Sequence, residues 1–270
     1  MRLTIEHTTR YGFDADASYS IQSLRLTPSE FHGQRLLDWR IDCSPVAEMT
    51  QTRDGFGNIL HLLTVEAPHR DIAITACGSV EVEDRHGVVQ GLPETVPLRV
   101  FLRRTTLTAP DANIAALAAD PPGDNGLAWL HALMGRIRDR VDYLTGVTDT
   151  ATTAAEALRA GAGVCQDHAH IFIAAARVAA IPARYVTGYL LTGDDAPAAE
   201  AHHAWAEAWV DGVGWIGFDV ANRICPTDHY VRMVAALDAQ GAAPIRGSRR
   251  GGGAEKLEVE VLVQQQGAQQ

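Results

Sequence analysis

The segment GAGVCQDHAH, residues 161–170, determines how the chain is interpreted, because it places a cysteine after two glycines and at the start of an apolar run. Pro182 ends that run, so the segment predicts a helix whose first turn contains Cys165. A first helical turn has unpaired backbone N–H groups and the positive end of the helix dipole. Both favour a thiolate, and the same N–H groups can stabilise an oxyanion. Cys165 is therefore either a nucleophile or an inert residue packed against a sheet.

Two later segments supply the partners that a cysteine nucleophile needs. The thiol requires a general base, and the base requires an acceptor that orients it. HHAWAEAWV (202–210) predicts a strand that carries His203, and GWIGFDVAN (214–222) predicts a strand with Asp219 near its end. A hairpin of these strands would set the two side chains together. The order Cys165, His203, Asp219 therefore predicts a Cys-His-Asp triad.

The chain changes from strand patterns to helix patterns near residue 110. Residues 1–85 contain alternating runs bounded by turns such as DGFGN (54–58), which predicts a β-sandwich-like domain. A connecting arm is expected over 86–110. Residues 111–263 begin with helices and return to strands, which predicts an α+β domain with helices packed on an antiparallel sheet. The tail, 264–270, is expected to be disordered.

Within the α+β region, local signals define two helices and the sheet. The segment 126–143 has apolar residues at helical spacing on one face, namely Leu127, Leu130, Met134, Ile137 and Val141. A second helix is predicted from Thr153 as N-cap, with Glu156 three residues on, to Gly161 as its stop. The later strand patterns, KLEVEVLV (256–263) included, are expected to form the sheet of this region.

Three blocks, GVCQDHAH, HAWAEAW and GWIGFD, resemble the Cys, His and Asp boxes of the transglutaminase-like superfamily. RLTP and the DGFGN turn resemble the domain that precedes this core in bacterial members, so the resemblance covers nearly the whole chain. It implies a papain-like core with Cys165 as nucleophile, His203 as base and acid, and Asp219 as orienting group. His168 stands where the family usually has an aromatic residue, and Val220-Ala221 replace a common Pro-Thr, but neither change removes a triad member.

The remaining parts of the site are less sharply defined. The backbone N–H of the nucleophile is the first donor expected in an oxyanion hole. By resemblance, Tyr143 in VDYLTG would be a second donor, and Gln166 beside the nucleophile is an alternative. Trp205 and Trp215 are assigned to the core or to the walls of a substrate groove. GDDAPAAEAH (193–202) is either a lid over the site or an exposed loop.

A metal site is the main alternative use of the cysteine. His168, His170, His202 and His203 could in principle join Cys165 as zinc ligands. On a helix, however, Cys165 and His168 share a face while His170 points elsewhere, and adjacent strand residues point to opposite faces. The chain also has no acidic calcium loop. We therefore expect no metal and no cofactor, and a core hydrogen bond for His170.

Composition indicates which classes of partner and which cellular location to expect. The 270 residues carry a formal charge of −10 without a Lys/Arg run, which argues against nucleic acid. No stretch approaches the roughly 18 apolar residues of a membrane helix, and the first residues predict a strand rather than a signal peptide. Four widely spaced cysteines without a CxxC motif fit a cytoplasmic protein with free thiols.

The expected function is a cysteine-dependent acyl transfer on a peptide or protein substrate. Water would make the protein a protease or amidase, and a primary-amine acceptor would make it a transglutaminase, with hydrolysis favoured for a cytoplasmic bacterial-type protein. The alternative is a catalytically silent interaction or scaffold module that has kept the fold. The intact triad argues against that alternative, since a degenerate member would usually have lost one of the three residues.

Overall fold

The computed structural model describes residues 1–93, 95–119, 126–192 and 201–266. Its strands form two large antiparallel sheets, and its helices pack with the second of them. In chain order the elements are β1 (Arg2–Leu24), β2 (Gln34–Ser44), β3 (Glu48–Arg53), β4 (Ile59–Val65), β5 (His69–Val82), β6 (Val88–Val89), a 3-10 helix (Leu98–Leu102), α1 (Ala112–Leu117), α2 (Gly126–Arg138), β7 (Asp142–Tyr143), α3 (Ala154–Ala160), β8 (Ala162–Gly163), α4 (Cys165–Val178), β9 (Ala183–Leu190), β10 (His202–Val210), β11 (Gly214–Phe218), β12 (Tyr230–Ala236), β13 (Ile245–Gly251) and β14 (Glu255–Gln265).

The first sheet is organised around β1, whose 23 residues run through it from end to end. One side of β1 pairs with β5 and then β4, and the other side pairs with β14 and then β13. Strands β2 and β3 extend the sheet from β5 and β4. Because β1 belongs to both halves, the strands form one connected, curled sheet. The two separate sheets expected of a β-sandwich are therefore not what the N-terminal region forms.

The last two strands belong to the first sheet, which corrects the expectation that 256–263 lies in the sheet of the α+β region. Strand β14 pairs with β1 from Leu3 opposite Gln265 to Phe13 opposite Glu255, and β13 continues along β1. The alternation of β14 identified it as a strand but contained no information about its partner, which lies at the other end of the chain. Gln264 and Gln265 are part of β14, so the expected disordered tail does not begin at 264; residues 267–270 lie outside the described part of the chain.

The second sheet has the order β12-β9-β10-β11-β6, and α4 packs against β9 and β10. Helices on an antiparallel sheet are the α+β layout expected from the sequence. Strand β6 comes from the predicted connecting arm and closes the edge beside β11. Helix α4 is buried continuously from Asp167 to Arg177, so it is a central element of the core. Among the described residues, no helix is long and apolar enough to cross a membrane.

Both helices predicted from local sequence signals are present. Helix α2 buries Leu130, Leu133, Met134 and Ile137, and Val141 is buried just beyond its end. Thr153 and Glu156 form a capping box at the start of α3. Gly161 ends α3 in the left-handed conformation, at φ 70°, which a glycine adopts without steric cost.

Two buried amides of the first sheet hold strand β12 of the second. The Gln34 side chain donates to the carbonyl oxygen of Arg232 at 2.7 Å and accepts from its N–H at 2.7 Å. Asn58 does the same with Ala235, at 2.8 and 2.9 Å. Each amide satisfies a backbone donor and acceptor that would otherwise be buried without a partner. The first sheet therefore fixes a strand that contributes to the candidate site.

Candidate active site

Cys165 is the first residue of α4, one residue after the short strand β8, and its side chain is partly exposed. The chain before Cys165 is positioned by Asp167, which is fully buried, accepts the Val164 N–H at 2.8 Å and so caps the helix. A Cβ on residue 163 would lie 2.6 Å from Asp167 Oδ2. Gly163 is required because the capping carboxylate packs against its backbone.

His203 connects Cys165 with Asp219. His203 lies on β10 and is 5% exposed, and Asp219 follows β11 and is fully buried. His203 Nε2 lies 2.7 Å from Asp219 Oδ2, and a side-chain hydrogen bond joins His203 to Cys165. Because Nε2 faces the carboxylate, Nδ1 is the ring nitrogen left for the sulfur. The antiparallel pairing of β10 with β11 creates the predicted juxtaposition.

The electrostatics of His203 favour the imidazolium. Burial by itself lowers its pKa, but the hydrogen bonds to Asp219 and Cys165 and the charges of both groups outweigh burial and raise the pKa to about 10. Burial likewise acts to raise the pKa of Asp219, and the His203, Tyr230 and Asn222 hydrogen bonds reverse this and lower it. The arrangement can therefore hold a proton on the His203 imidazole beside Cys165.

Two further residues, which were not predicted from the sequence, contact Asp219. Tyr230 donates its hydroxyl hydrogen to Asp219 Oδ2 at 2.7 Å, and Asn222 Nδ2 donates to the same oxygen at 2.7 Å. Burial and the Asp219 charge raise the pKa of Tyr230, so its hydroxyl stays a donor. The signal for Asn222 was its position three residues after Asp219. Tyr230 had no local signal, because it lies on β12.

The two tryptophans assigned to the groove or the core are both buried. The Trp205 ring, 2% exposed, stacks on His203 with centroids 6.4 Å apart and keeps water from one face of the imidazole. Trp215, 1% exposed, contacts Phe101, and the Arg184 guanidinium lies 3.9 Å above its ring. Trp215 is therefore a core residue, whereas Trp205 also lines a pocket beside Pro226 and Tyr230.

Both candidate oxyanion donors lie close to Cys165: Gln166 is its neighbour in the sequence, and Tyr143 is brought near it by strand pairing. Tyr143 on β7 is paired with Gly163 on β8, is 37% exposed, and stacks loosely on His168 with centroids 6.2 Å apart. Gln166 follows Cys165 and is half-buried. Their part in an oxyanion hole stays a prediction. Of the lid segment 193–202, residues 193–200 lie outside the described residues.

The other histidines have separate partners. His168 has its ring nitrogens 2.9 Å from the Val164 carbonyl oxygen and 3.0 Å from that of Val141. His170 Nε2 accepts the Ala239 N–H at 3.1 Å, the core hydrogen bond that we expected. His202 contacts the rings of His7 and Tyr189. Within the described ranges, no three His, Cys, Asp or Glu side chains are grouped so as to hold a metal ion.

Comparison with known families identifies both halves of the chain. Residues 3–81 match the bacterial transglutaminase-like N-terminal region, and residues 117–220 match the transglutaminase-like superfamily core. The second match contains the candidate triad. The chain belongs to the transglutaminase-like superfamily.

The similarity to known relatives covers nearly the full length of this chain. An uncharacterized protein of Mycobacterium leprae is 28% identical over 97% of this chain and 98% of its own length. An uncharacterized protein of Mycobacterium tuberculosis is 29% identical over 91% of this chain and 87% of its own. The crystal structure of a "putative cysteine protease" from Cytophaga hutchinsonii superposes with a TM-score of 0.75 and 23% identity, covering 100% of this chain and 92% of that chain. This similarity establishes that the two chains share a fold.

Proposed function

We propose that the protein is a cysteine-dependent acyl-transfer enzyme that acts on peptide or glutamine amide bonds through a thioester on Cys165. The observation that carries the proposal is the position of the buried His203, hydrogen-bonded on one side to Cys165 and on the other to Asp219. A nucleophile, a base and an orienting acceptor in this order are what thiol-based acyl transfer requires. Membership of the transglutaminase-like superfamily supports the same chemistry.

In the first half-reaction, the Cys165 thiolate attacks the amide carbonyl carbon and forms a C–S bond. The oxyanion of the tetrahedral intermediate accepts the Cys165 backbone N–H, with Tyr143 or Gln166 as the proposed second donor. The C–N bond then breaks, and the His203 imidazolium protonates the leaving amine. The products of this half-reaction are the free amine and a thioester on Cys165.

In the second half-reaction, His203 accepts a proton from the incoming nucleophile, which attacks the thioester carbonyl and returns the thiolate. Water gives a carboxylic acid, so the enzyme is a protease or amidase; a primary amine gives a new amide, so it is a transglutaminase. We favour hydrolysis, because the partly exposed Cys165 allows water to approach. We also propose a cytoplasmic location, which the four free cysteines support.

The test is the selectivity of thiol alkylation. All four cysteines are half-buried, so unequal reactivity would reflect chemical activation more than access. Burial raises the pKa of Cys225 to about 11 and also raises that of Cys77, which makes both thiols matched slow controls. At pH 6, iodoacetamide should modify Cys165 first, as read by peptide mass spectrometry. Equal, slow labelling of all four would instead favour the silent scaffold module.

The acceptor is identified by product analysis. The protein is incubated with a peptide library and a labelled primary amine, and the products are followed by mass spectrometry. New peptide termini indicate a protease, glutamine converted to glutamate without label indicates an amidase, and amine incorporated at glutamine indicates a transglutaminase. The Cys165→Ala variant is the blank in each case.

A further inference from the structure

Exposed apolar side chains are concentrated beside the candidate triad. In the part of the chain that the structure describes, nine large apolar side chains are exposed. Four of the nine come from the segments that flank the site: Tyr143, Leu144, Val147 and Ile224. Isolated exposed apolar residues are normal on a protein surface, but a group of them around a reactive centre marks a binding surface.

The segment from Leu144 to Thr148 lies across the start of α4. The Leu144 N–H donates to the Gly163 carbonyl oxygen at 2.9 Å, and the Thr148 hydroxyl donates to Asp167 Oδ2 at 2.7 Å. Gly163 and Asp167 are each two residues from Cys165, one before it and one after it. The segment that carries the exposed Leu144 and Val147, at 51% and 49%, is therefore bonded to residues on both sides of the nucleophile.

A second apolar side chain borders the other end of the triad. Ile224 and Asp219 exchange both backbone hydrogen bonds, at 2.8 and 3.2 Å. Ile224 is 42% exposed, although its backbone partner is fully buried. Exposed apolar side chains therefore lie on segments that border both the Cys165 end and the Asp219 end of the candidate triad.

The Leu144–Thr148 segment is held in place. Asp167 Oδ2 accepts from both the Thr148 hydroxyl and the Val164 N–H, and no part of the Asp167 side chain reaches solvent. The anchor therefore connects the apolar segment rigidly to the nucleophile's helix. A preformed surface binds a ligand without the cost of ordering a loop.

We propose that Leu144, Val147 and Ile224 form a recognition surface for an apolar side chain of the acyl-donor peptide, within two residues of the scissile carbonyl. This inference rests on the proposed function, because it assigns the substrate class of the same site. An acidic residue at the rim adds selectivity: backbone and hydroxyl hydrogen bonds lower the pKa of Asp149, which keeps it charged. An acidic peptide would be repelled where an apolar one is bound.

The test uses reagents that need no known substrate. Acetyl-dipeptidyl chloromethyl ketones carry leucine or the near-isosteric asparagine in one position and glycine in the other, in both orders. The Cys165 sulfur forms a C–S bond to the methylene carbon and chloride leaves, so labelling reports binding next to the nucleophile. In at least one position, the leucine reagent should label Cys165 roughly 10-fold faster than its asparagine partner, a typical discrimination for an apolar pocket.

Two variants test whether Leu144 and Val147 cause the preference for the leucine reagent. In Leu144→Ser/Val147→Ser the ratio of the leucine to the asparagine rate should fall to about 3 or less, since much of the apolar contact is lost. Leu257→Ser is the matched control, because Leu257 is 54% exposed but lies on β14. Its ratio should equal that of the unmodified protein. The ratio is internal to each protein, so a general loss of reactivity cancels.

The outcomes separate this inference from the proposed function. If iodoacetamide labels Cys165 selectively but leucine and asparagine reagents react equally, the recognition surface is wrong and the acyl-transfer proposal stands. A leucine preference that persists in the double variant also overturns the inference. If no reagent labels Cys165 faster than Cys43, the acyl-transfer proposal itself fails.

Discussion

Tyr230 donates its hydroxyl hydrogen to Oδ2 of Asp219, the same oxygen that lies 2.7 Å from His203 Nε2. The carboxylate that orients the imidazole is thus itself oriented by a group from a strand on the far side of β9 and β10. Strand β12 is in turn held by Gln34 of the first sheet. The first sheet therefore acts on the site through β12.

Replacing Tyr230 by phenylalanine should slow alkylation of Cys165. The hydroxyl makes a hydrogen bond to a buried charge, so the loss should also lower the free energy of unfolding by about 1.5–3 kcal/mol. We expect the iodoacetamide rate at Cys165 to fall by about 10-fold, less than the cost of removing an orienting carboxylate altogether. Tyr189→Phe is the control, because it removes a buried hydroxyl bonded to His7. An equal decrease in rate in both variants would mean that Tyr230 acts only through general stability.

Substitutions in the triad should show a graded loss of turnover on the substrate that the library assay identifies. Cys165→Ala should abolish turnover, and His203→Ala should be nearly as damaging, because one base both activates the thiol and protonates the amine. Asp219→Asn should cost about 10²–10⁴-fold, by analogy with a serine triad. The exposed His229→Ala is the control and should retain activity. Full activity in His203→Ala would disprove the mechanism.

The juxtaposition of Cys165, His203 and Asp219 could be predicted because each residue lies at a local feature that the sequence displays. Two glycines precede Cys165 at a helix start. His203 lies on β10 and Asp219 directly follows β11, and a short turn separates these two strands. Thr153 and Gly161 were correct for the same reason: a cap is a property of a few neighbouring residues.

What the sequence could not decide depends on contacts between residues that are distant along the chain. The pairing of β14 with β1 joins Leu3 to Gln265, and neither strand identifies the other. Trp215 was assigned to the groove or the core because an aromatic near a candidate site has two possible roles, and only the placement of Arg184 and Phe101 around it decides between them. Tyr230 was missed because its strand reaches Asp219 only through the sheet order β12-β9-β10-β11.

Acid should destabilise the protein through histidines that are buried in the neutral form. Burial and the nearby His202 lower the pKa of His7 to about 3, and burial and the nearby His203 lower that of His202 to about 4. The unfolded chain therefore binds more protons than the native protein below about pH 6.5, so stability falls as the pH decreases from there towards about 4. His7 belongs to β1 and His202 to β10, so the charge would develop between the two sheets.

His7→Gln should reduce this acid sensitivity. Glutamine does not titrate and can still bond the Tyr189 hydroxyl, so the difference in unfolding free energy between pH 7 and pH 5 should be smaller than in the unmodified protein. Urea denaturation at the two pH values measures it. His86→Gln, at a side chain that is 92% exposed, should leave the difference unchanged. If His7→Gln loses as much stability between the two pH values as the unmodified protein, the buried pair does not cause the effect.

Glu207 should be among the most sensitive positions of the second sheet. It is fully buried on β10 between two arginines, with Arg184 Nε at 2.5 Å and Arg232 Nε at 2.8 Å. Burial acts to raise the pKa of Glu207, but the charges and hydrogen bonds of both guanidinium groups outweigh it and lower the pKa to about 2. Glu207→Gln would remove the carboxylate charge that both buried guanidinium groups contact, so we expect a loss of about 3–5 kcal/mol in unfolding free energy. Glu81→Gln removes the partner of Arg35 at an exposed pair and should cost far less. Urea denaturation at pH 7 compares the two, and equal losses would show that the three-residue cluster is not what stabilises β9, β10 and β12.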